Sequence, residues 1–533
     1  MKNHLITTGF ASMLFAAGGA LAQDSHAGHA MHDKVGTVVF ANSCTQAVQA
    51  DLASGVAMLH SFWYSAGDKT FRDVLAKDPS CAIANWGIAA LLMSNPLAGV
   101  GSTPKDAATA QAAIDAGRAL GAKSQRERDY IDAVAAYYQD WATTPEAARQ
   151  QNRAKAFEAL AARYPTDDEA QIFSALYIAG TQSQADQTYT AYFKAADILE
   201  KQLLKTPDHP GISHYLIHVY DAPPIAVRGL SAARRYAGLA PDAPHALHMP
   251  SHIFSRVGAW EESASTNQRS FNAAIPGNEL GEAYHASDYM VYADLQLGRD
   301  AAALTAMQTV MKLVMPAPLP PAVAYSSSAM PARYAVERGD WTAAARLMPP
   351  KGGAPLTDAL VWFAHGIGAA RSGDIAGAQQ AATELETRHA ALIAAKNVYW
   401  ATEVGIQQRV VAAWIAYAEK NPSLGLQTMR EAADLEDRNE KHIISPGRIL
   451  PARELLGDML FEAGQPALAL AEYELSQKRE PNRFRGIYGA ARAAEAAGDQ
   501  TKAKTYYTRL LDLAKTADTV RPEITQAKAY VSR

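Results

Sequence analysis

Cysteine is nearly missing: Cys44 and Cys81 are the only two in 533 residues. They form no CxxC pair, so nothing argues for a thiolate metal site of the zinc-ribbon kind. Charge of one sign is also lacking. Lysine plus arginine total 50 against 54 acidic residues, a net charge of −4. Without a basic excess, nucleic acid is not an expected partner. Runs of β-branched residues are scarce while alanine is abundant throughout, which disfavours sheet and favours helix. Beyond the first residues no segment approaches the roughly 20 uninterrupted apolar residues that a membrane helix needs, so no membrane span is expected. The GxSxG elbow, the GxxxxGK[ST] phosphate loop, HExxH and a GxGxxG after a strand pattern are all missing. Were the protein an enzyme, metal-bound water or metal redox chemistry would be the only route the sequence suggests.

The N-terminus has its own character. Lys2 supplies a positive start, Leu5 to Ala17 is mostly apolar, and Ala20-Leu21-Ala22 matches a small-residue cleavage site. Residues 1–22 therefore read as a signal peptide, and the mature chain is expected in a bacterial periplasm or outside the cell. In such an oxidising compartment Cys44 and Cys81 are expected to form a disulfide. Residues 23–36, with His26, His29, Met31 and His32, lack hydrophobic periodicity and are expected to be a flexible leader. Its imidazoles and thioether suit copper, and a solvated tail without function is the alternative.

The rest of the chain is organised by a period. Leu456-Gly457, Gly464, Ala469, Tyr473 and Pro481 stand in one unit, and Gly498, Ala503 and Tyr507 follow Gly464, Ala469 and Tyr473 by 34 residues. The same frame recurs at Trp362, Gly366, Gly373 and Ala378, at Gly298 with Ala303, and at Gly339 with Ala344. Upstream, Phe71 with Pro79, Phe157 with Pro165, and Ala195 and Leu199 with Pro207 keep the spacing of a second helix and its terminator. In these residues the chain resembles the tetratricopeptide repeat family, in which small residues let two helices cross closely and proline ends the second. The resemblance covers most of residues 45–515, is strongest after 450, and is shared with exported bacterial repeat proteins. It implies an all-α solenoid of antiparallel helix pairs forming a superhelix. The proline-rich run at 316–322 cannot be helical throughout, which predicts a division between halves at 37–315 and 323–533.

Histidine is concentrated. His209, His214, His218, His245, His248, His252 and His285 fall within one short stretch. His214/His218 and His248/His252 are each four apart, which puts each pair on one helix face with Cβ atoms roughly 5 to 6 Å apart. The pairs are also 34 residues apart member for member, so they belong at equal heights on neighbouring helices about 8 to 10 Å from axis to axis. By register, the resemblance places all four on the concave, ligand-binding face, and one further period leads to Glu282.

Four imidazoles and a carboxylate suit zinc, copper or iron. Metal ligands are accordingly expected at His214, His218, His248, His252 and Glu282, with Asp221 and Asp288 holding outer ring N–H groups. Such binding is expected to weaken as pH falls through about 6.5. A metal-free groove of His214, His218, His245, His248, His252, Arg256 and Trp260, with Tyr215 and Tyr220 near, suits a small anionic ligand or a peptide, and packing histidines are a third reading. His60, in an aromatic run, is expected to be a core histidine. The chain is thus expected to be an exported repeat scaffold binding a peptide, protein or small ligand on its concave face. A metal-dependent enzyme or metal-binding protein using the same histidines is the alternative.

Overall fold

Short polar side chains start the helices and glycines stop them. Asp340, Asp374, Asn397, Asn421 and Asp499 each accept a backbone N–H from the first turn of the helix that follows, satisfying donors a helix start leaves open. At the other end, Gly373, Gly464 and Gly498 adopt positive φ of 85°, 73° and 82°, the left-handed geometry glycine tolerates best. The N–H of the next residue then reaches back, as Gln465 does to the carbonyl of Leu460. Gly464, expected in a close helix crossing, is therefore a turn residue with open space at its Cβ position.

The structure, a computed structural model, describes residues 33–99, 101–316 and 318–533. The predicted signal peptide and the leader's His26, His29, Met31 and His32 lie outside them. Among the described residues all regular structure is helical, from Gln49–His60 to Pro522–Val531, and each helix packs on its neighbours in the chain. Short turns between such neighbours make them antiparallel pairs. Ala303, Ala344, Ala378, Ala469 and Ala503 are all fully buried. The Tyr473 ring fills the space that side chains at Gly457 and Gly489 would need, within 2.9 Å of a Cβ built at Gly457. These are the close crossings a tetratricopeptide-like array requires. No described helix is long and apolar enough to cross a membrane.

Lys34–Arg533 hold together as one unit. An apolar cluster of Tyr284, Val291, Leu295, Val310, Val323 and Met330 spans the proline-rich connection. The C-terminal helices return onto the middle of the chain. Trp260 Nε1 donates to the Asn482 carbonyl at 2.7 Å, and Arg521 forms an ion pair with Asp300 at 2.5 Å. Arg483, fully buried, is held by Glu337, Glu454 and Tyr292. Residues 437–451 are not helical, yet Asn439, Glu440, Lys441, Ser445, Ile449 and Leu450 are buried.

Cys44 and Cys81 are joined by a disulfide. The last residues of the expected leader are held as well. Lys34 N donates to Asp242 at 2.7 Å, Val35 is buried, and Gly36 packs against Pro210.

Candidate metal centre

Three helices in successive repeats build the site. Pro210–Val219 carries His214 and His218, and Leu280–Gln296 carries Glu282, His285 and Tyr289. Between them, Pro244–His248 carries His245 and His248, and Pro250–Val257 carries His252. Pro250 lacks a backbone donor and breaks this middle helix. Met249 keeps helical dihedrals, so His248 and His252 still share a face.

Each four-residue pair closes tightly. His214 Nε2 lies 3.1 Å from His218 Nε2, and His248 Nε2 lies 3.0 Å from His252 Nε2. The pairs are neighbours, with the rings of His218 and His252 5.7 Å apart. Each pair gains a third imidazole from the next helix. His245 joins His214 and His218, His285 joins His248 and His252, and in each trio the ligand atoms lie within 4.8 Å of one another.

The outer ring nitrogens are held. His214 Nδ1 donates to the His60 carbonyl at 2.6 Å, and His252 Nδ1 donates to Asp221 Oδ2 at 2.9 Å. His248 Nδ1 lies 2.7 Å from Asn267 Oδ1. Asn267 Nδ2 donates to the Ser263 carbonyl, which identifies Oδ1 as the acceptor turned towards His248. His218 Nδ1, His245 Nε2 and His285 Nδ1 are buried with no hydrogen-bond partner among the described residues. Buried polar atoms are rarely left so.

The cluster does not line an open groove. His214, His218, His248 and His252 are at most 2% exposed. Phe62 lies against His214, His218 and His245, and Tyr289 against His248 and His252. Tyr289 in turn donates to the carbonyls of Ile443 and Ser445, each at 3.0 Å, so the non-helical 437–451 segment covers that side. The open side is at His245 and Glu282, whose side chains are 10% and 29% exposed and whose Nδ1 and Oε2 are 3.2 Å apart.

Burial sets the protonation. Desolvation, then neighbouring imidazoles, holds His214, His218 and His248 well below the ordinary 6.5. It brings His252 to about 4 and His285 to about 3, despite the opposing pull of Asp221 and Glu282. Neutral imidazole is the ligating form, and burial keeps these five rings in that form below the ordinary 6.5 as well. Although burial works against it, Lys441, Arg256 and His252 hold the Asp221 carboxyl well below the usual carboxylate range.

Other expected residues are placed elsewhere. Arg256 is committed to Asp221, at 2.8 Å, and Lys441 reaches the same carboxylate at 3.1 Å. Asp288 holds no histidine; it pairs with Arg333 at 3.2 Å. Trp260 lies outside the cluster, against Tyr292 and Asn482. Tyr220 bonds Glu200, and Tyr215 donates to His60 Nδ1. His60 is fully buried, its Nε2 2.8 Å from Glu169, whose other oxygen meets His209 at 2.9 Å. With both ring nitrogens of His60 engaged, that trio has no free imidazole pair for an ion. Sequence reasoning passed over Asn267, Phe62, Tyr289 and Lys441. Asn267 and Lys441 stand in no motif, and Phe62 is marked only by the aromatic run around His60.

No protein-family model and no curated protein matches the chain. Among solved structures, the human IFIT1 dimer with PPP-AAAA is similar at 11% sequence identity, over 81% of this chain and 90% of that one, with a TM-score of 0.38. A likeness so distant says nothing about ligand or activity.

Proposed function

We propose that this chain is an exported helical-repeat protein whose histidine cluster holds transition metal, zinc, copper or iron being the ions imidazole suits. One observation carries the reading. His248 and His252 both spend Nδ1–H on outer acceptors, so the two Nε2 atoms 3.0 Å apart are both lone-pair donors facing one another. Such a pair repels unless a cation sits between them. A proton there would create an imidazolium buried among other imidazoles, which desolvation opposes. A metal at about 2.0 Å from each nitrogen would close an angle of roughly 95 to 100°, within reach of tetrahedral or square-planar coordination.

The outer acceptors support the same reading, because metal-bound histidines commonly donate their second N–H to a carboxylate or carbonyl. A metal-free site for an anion draws less support. The nearest cations, Arg256 and Lys441, are spent on Asp221, and the rings are buried. The signal-like N-terminus and the Cys44–Cys81 bond support export.

Elemental analysis of the mature protein, recovered from the exported fraction, tests the proposal. Metal in stoichiometric amount is expected, with loss in His248→Ala and His252→Ala. Wild-type protein that retains none of the three metals after dialysis against each would overturn it.

A further inference from the structure

The two histidine trios share one building plan in outline, the third imidazole standing one turn before the 34-residue position in the first and one turn after it in the second. In each, a four-residue pair on one helix is completed by a single imidazole from the helix one repeat further on: His214 and His218 by His245, His248 and His252 by His285. Because the solenoid advances by one helix pair per repeat, a plan used twice gives two sites displaced by one repeat. It does not give one enlarged site.

The donor count agrees. With bonds of about 2.0 Å, nitrogens on a single ion lie at most about 4 Å apart. The six imidazoles do not meet as one set: the potential ligand atoms come within 4.8 Å of one another only within each trio. One ion in the His248/His252 trio would leave His245 Nε2 buried without a partner among the described residues, along with the close contact of His214 Nε2 and His218 Nε2.

The charge of the surroundings bears on the ion. All six imidazoles are neutral donors. Asp221 is already offset by Lys441 and Arg256, and among the described residues Glu282 contacts His245 but no lysine or arginine. Burying charge costs steeply, so a pair of divalent ions would leave a large uncompensated charge here. A pair of monovalent ions would leave little. Of the transition metals imidazole accepts, copper has a stable monovalent state, and it tolerates three ligands.

Resting on the metal-binding reading above, we propose that the cluster is a two-copper centre, one copper(I) held by His214, His218 and His245 and the other by His248, His252 and His285, with Glu282 at the mouth between them.

The test is an anaerobic titration of the metal-free, full-length protein with copper(I) against a chromophoric chelator. Two tightly bound coppers per chain are expected in the wild type, and one each in His285→Ala and His245→Ala. Because the wild-type stoichiometry is itself decisive, a variant that fails to fold does not spoil the measurement. Saturation at one copper would overturn the pair while leaving a metal-binding protein. No binding of copper, zinc or iron would overturn both readings. Zinc that displaces bound copper(I) at equal concentration would overturn the choice of ion. In protein loaded with copper(II), the paramagnetic resonance spectrum should show dipolar broadening and a half-field line, because neighbouring ions couple. Two full, uncoupled spins would overturn the shared centre.

Discussion

His60 supports His214 from behind: its carbonyl accepts the Nδ1–H of His214 at 2.6 Å, while its own ring is clamped between Glu169 and Tyr215. A histidine with no free ring nitrogen thereby orients one whose inner nitrogen faces the cluster. Replacing Glu169 by Ala removes the acceptor for both His60 and His209, and unsatisfied buried groups cost about 1 to 3 kcal/mol each. Glu169→Ala is expected to lower stability by about 2 to 5 kcal/mol in urea unfolding, and metal affinity by about 10- to 100-fold as His214 loosens. Unchanged affinity in a folded variant would mean that His60 does not position the site.

The disulfide closes a loop with a sequence separation of 37. In the chain-entropy picture a loop of that size contributes roughly 3.5 to 4 kcal/mol. Thiol titration of unfolded, unreduced protein should find no free sulfhydryl. The Cys44→Ser/Cys81→Ser variant should unfold at clearly lower denaturant concentration.

Tyr473 is sandwiched between two glycines, so side chains there must displace its ring. Gly489→Ala and Ala469→Leu are each expected to destabilise by about 1 to 3 kcal/mol through overpacking. Gly464→Ala should be costly for another reason, its positive φ. Thermal unfolding of the three variants distinguishes a crowded crossing from a strained turn, because Gly464→Asn should recover part of the loss while Gly489→Asn should not.

His442 offers a pH test away from the cluster. Burial, then the Lys441 charge, lowers it from 6.5 to about 4, beside Trp400 and Tyr399. The unfolded chain therefore binds a proton near pH 6.5 that the folded chain refuses until about pH 4. Stability from this group is present above 6.5 and lost as pH falls through that window. Relative to His442→Phe, the wild type should lose about 3 kcal/mol between pH 7.5 and 4, at about 1.4 kcal/mol per pH unit. A gap that stays constant with pH would show that His442 titrates normally.

How much of this was legible in the sequence depends on what a period can encode. Spacings of 4 and 34 were enough to bring His214, His218, His248 and His252 together, because helix geometry fixes face and height. His285 was harder to rank, since the 34-residue lattice leads to Glu282 and the third imidazole falls one turn later on the same helix. Asp221 and Asp288 looked alike as outer acceptors. Only the fold decides that one meets His252 and the other Arg333. The burial of the cluster was illegible as well. A repeat frame describes neighbours in the chain, whereas the covering groups, Phe62 and the 437–451 segment, come from far away in it.

The return of the last helices onto the middle of the chain has a consequence for how this molecule can change through descent. Open repeat arrays grow and shrink by duplicating or deleting a unit, since each unit answers only to the next. Here Arg521 must find Asp300, Asn482 must find Trp260, and Lys441 must find Asp221. One repeat more or fewer between these partners would carry every one of them out of reach. Between these partners the number of helices is therefore constrained in a way that an open array's is not.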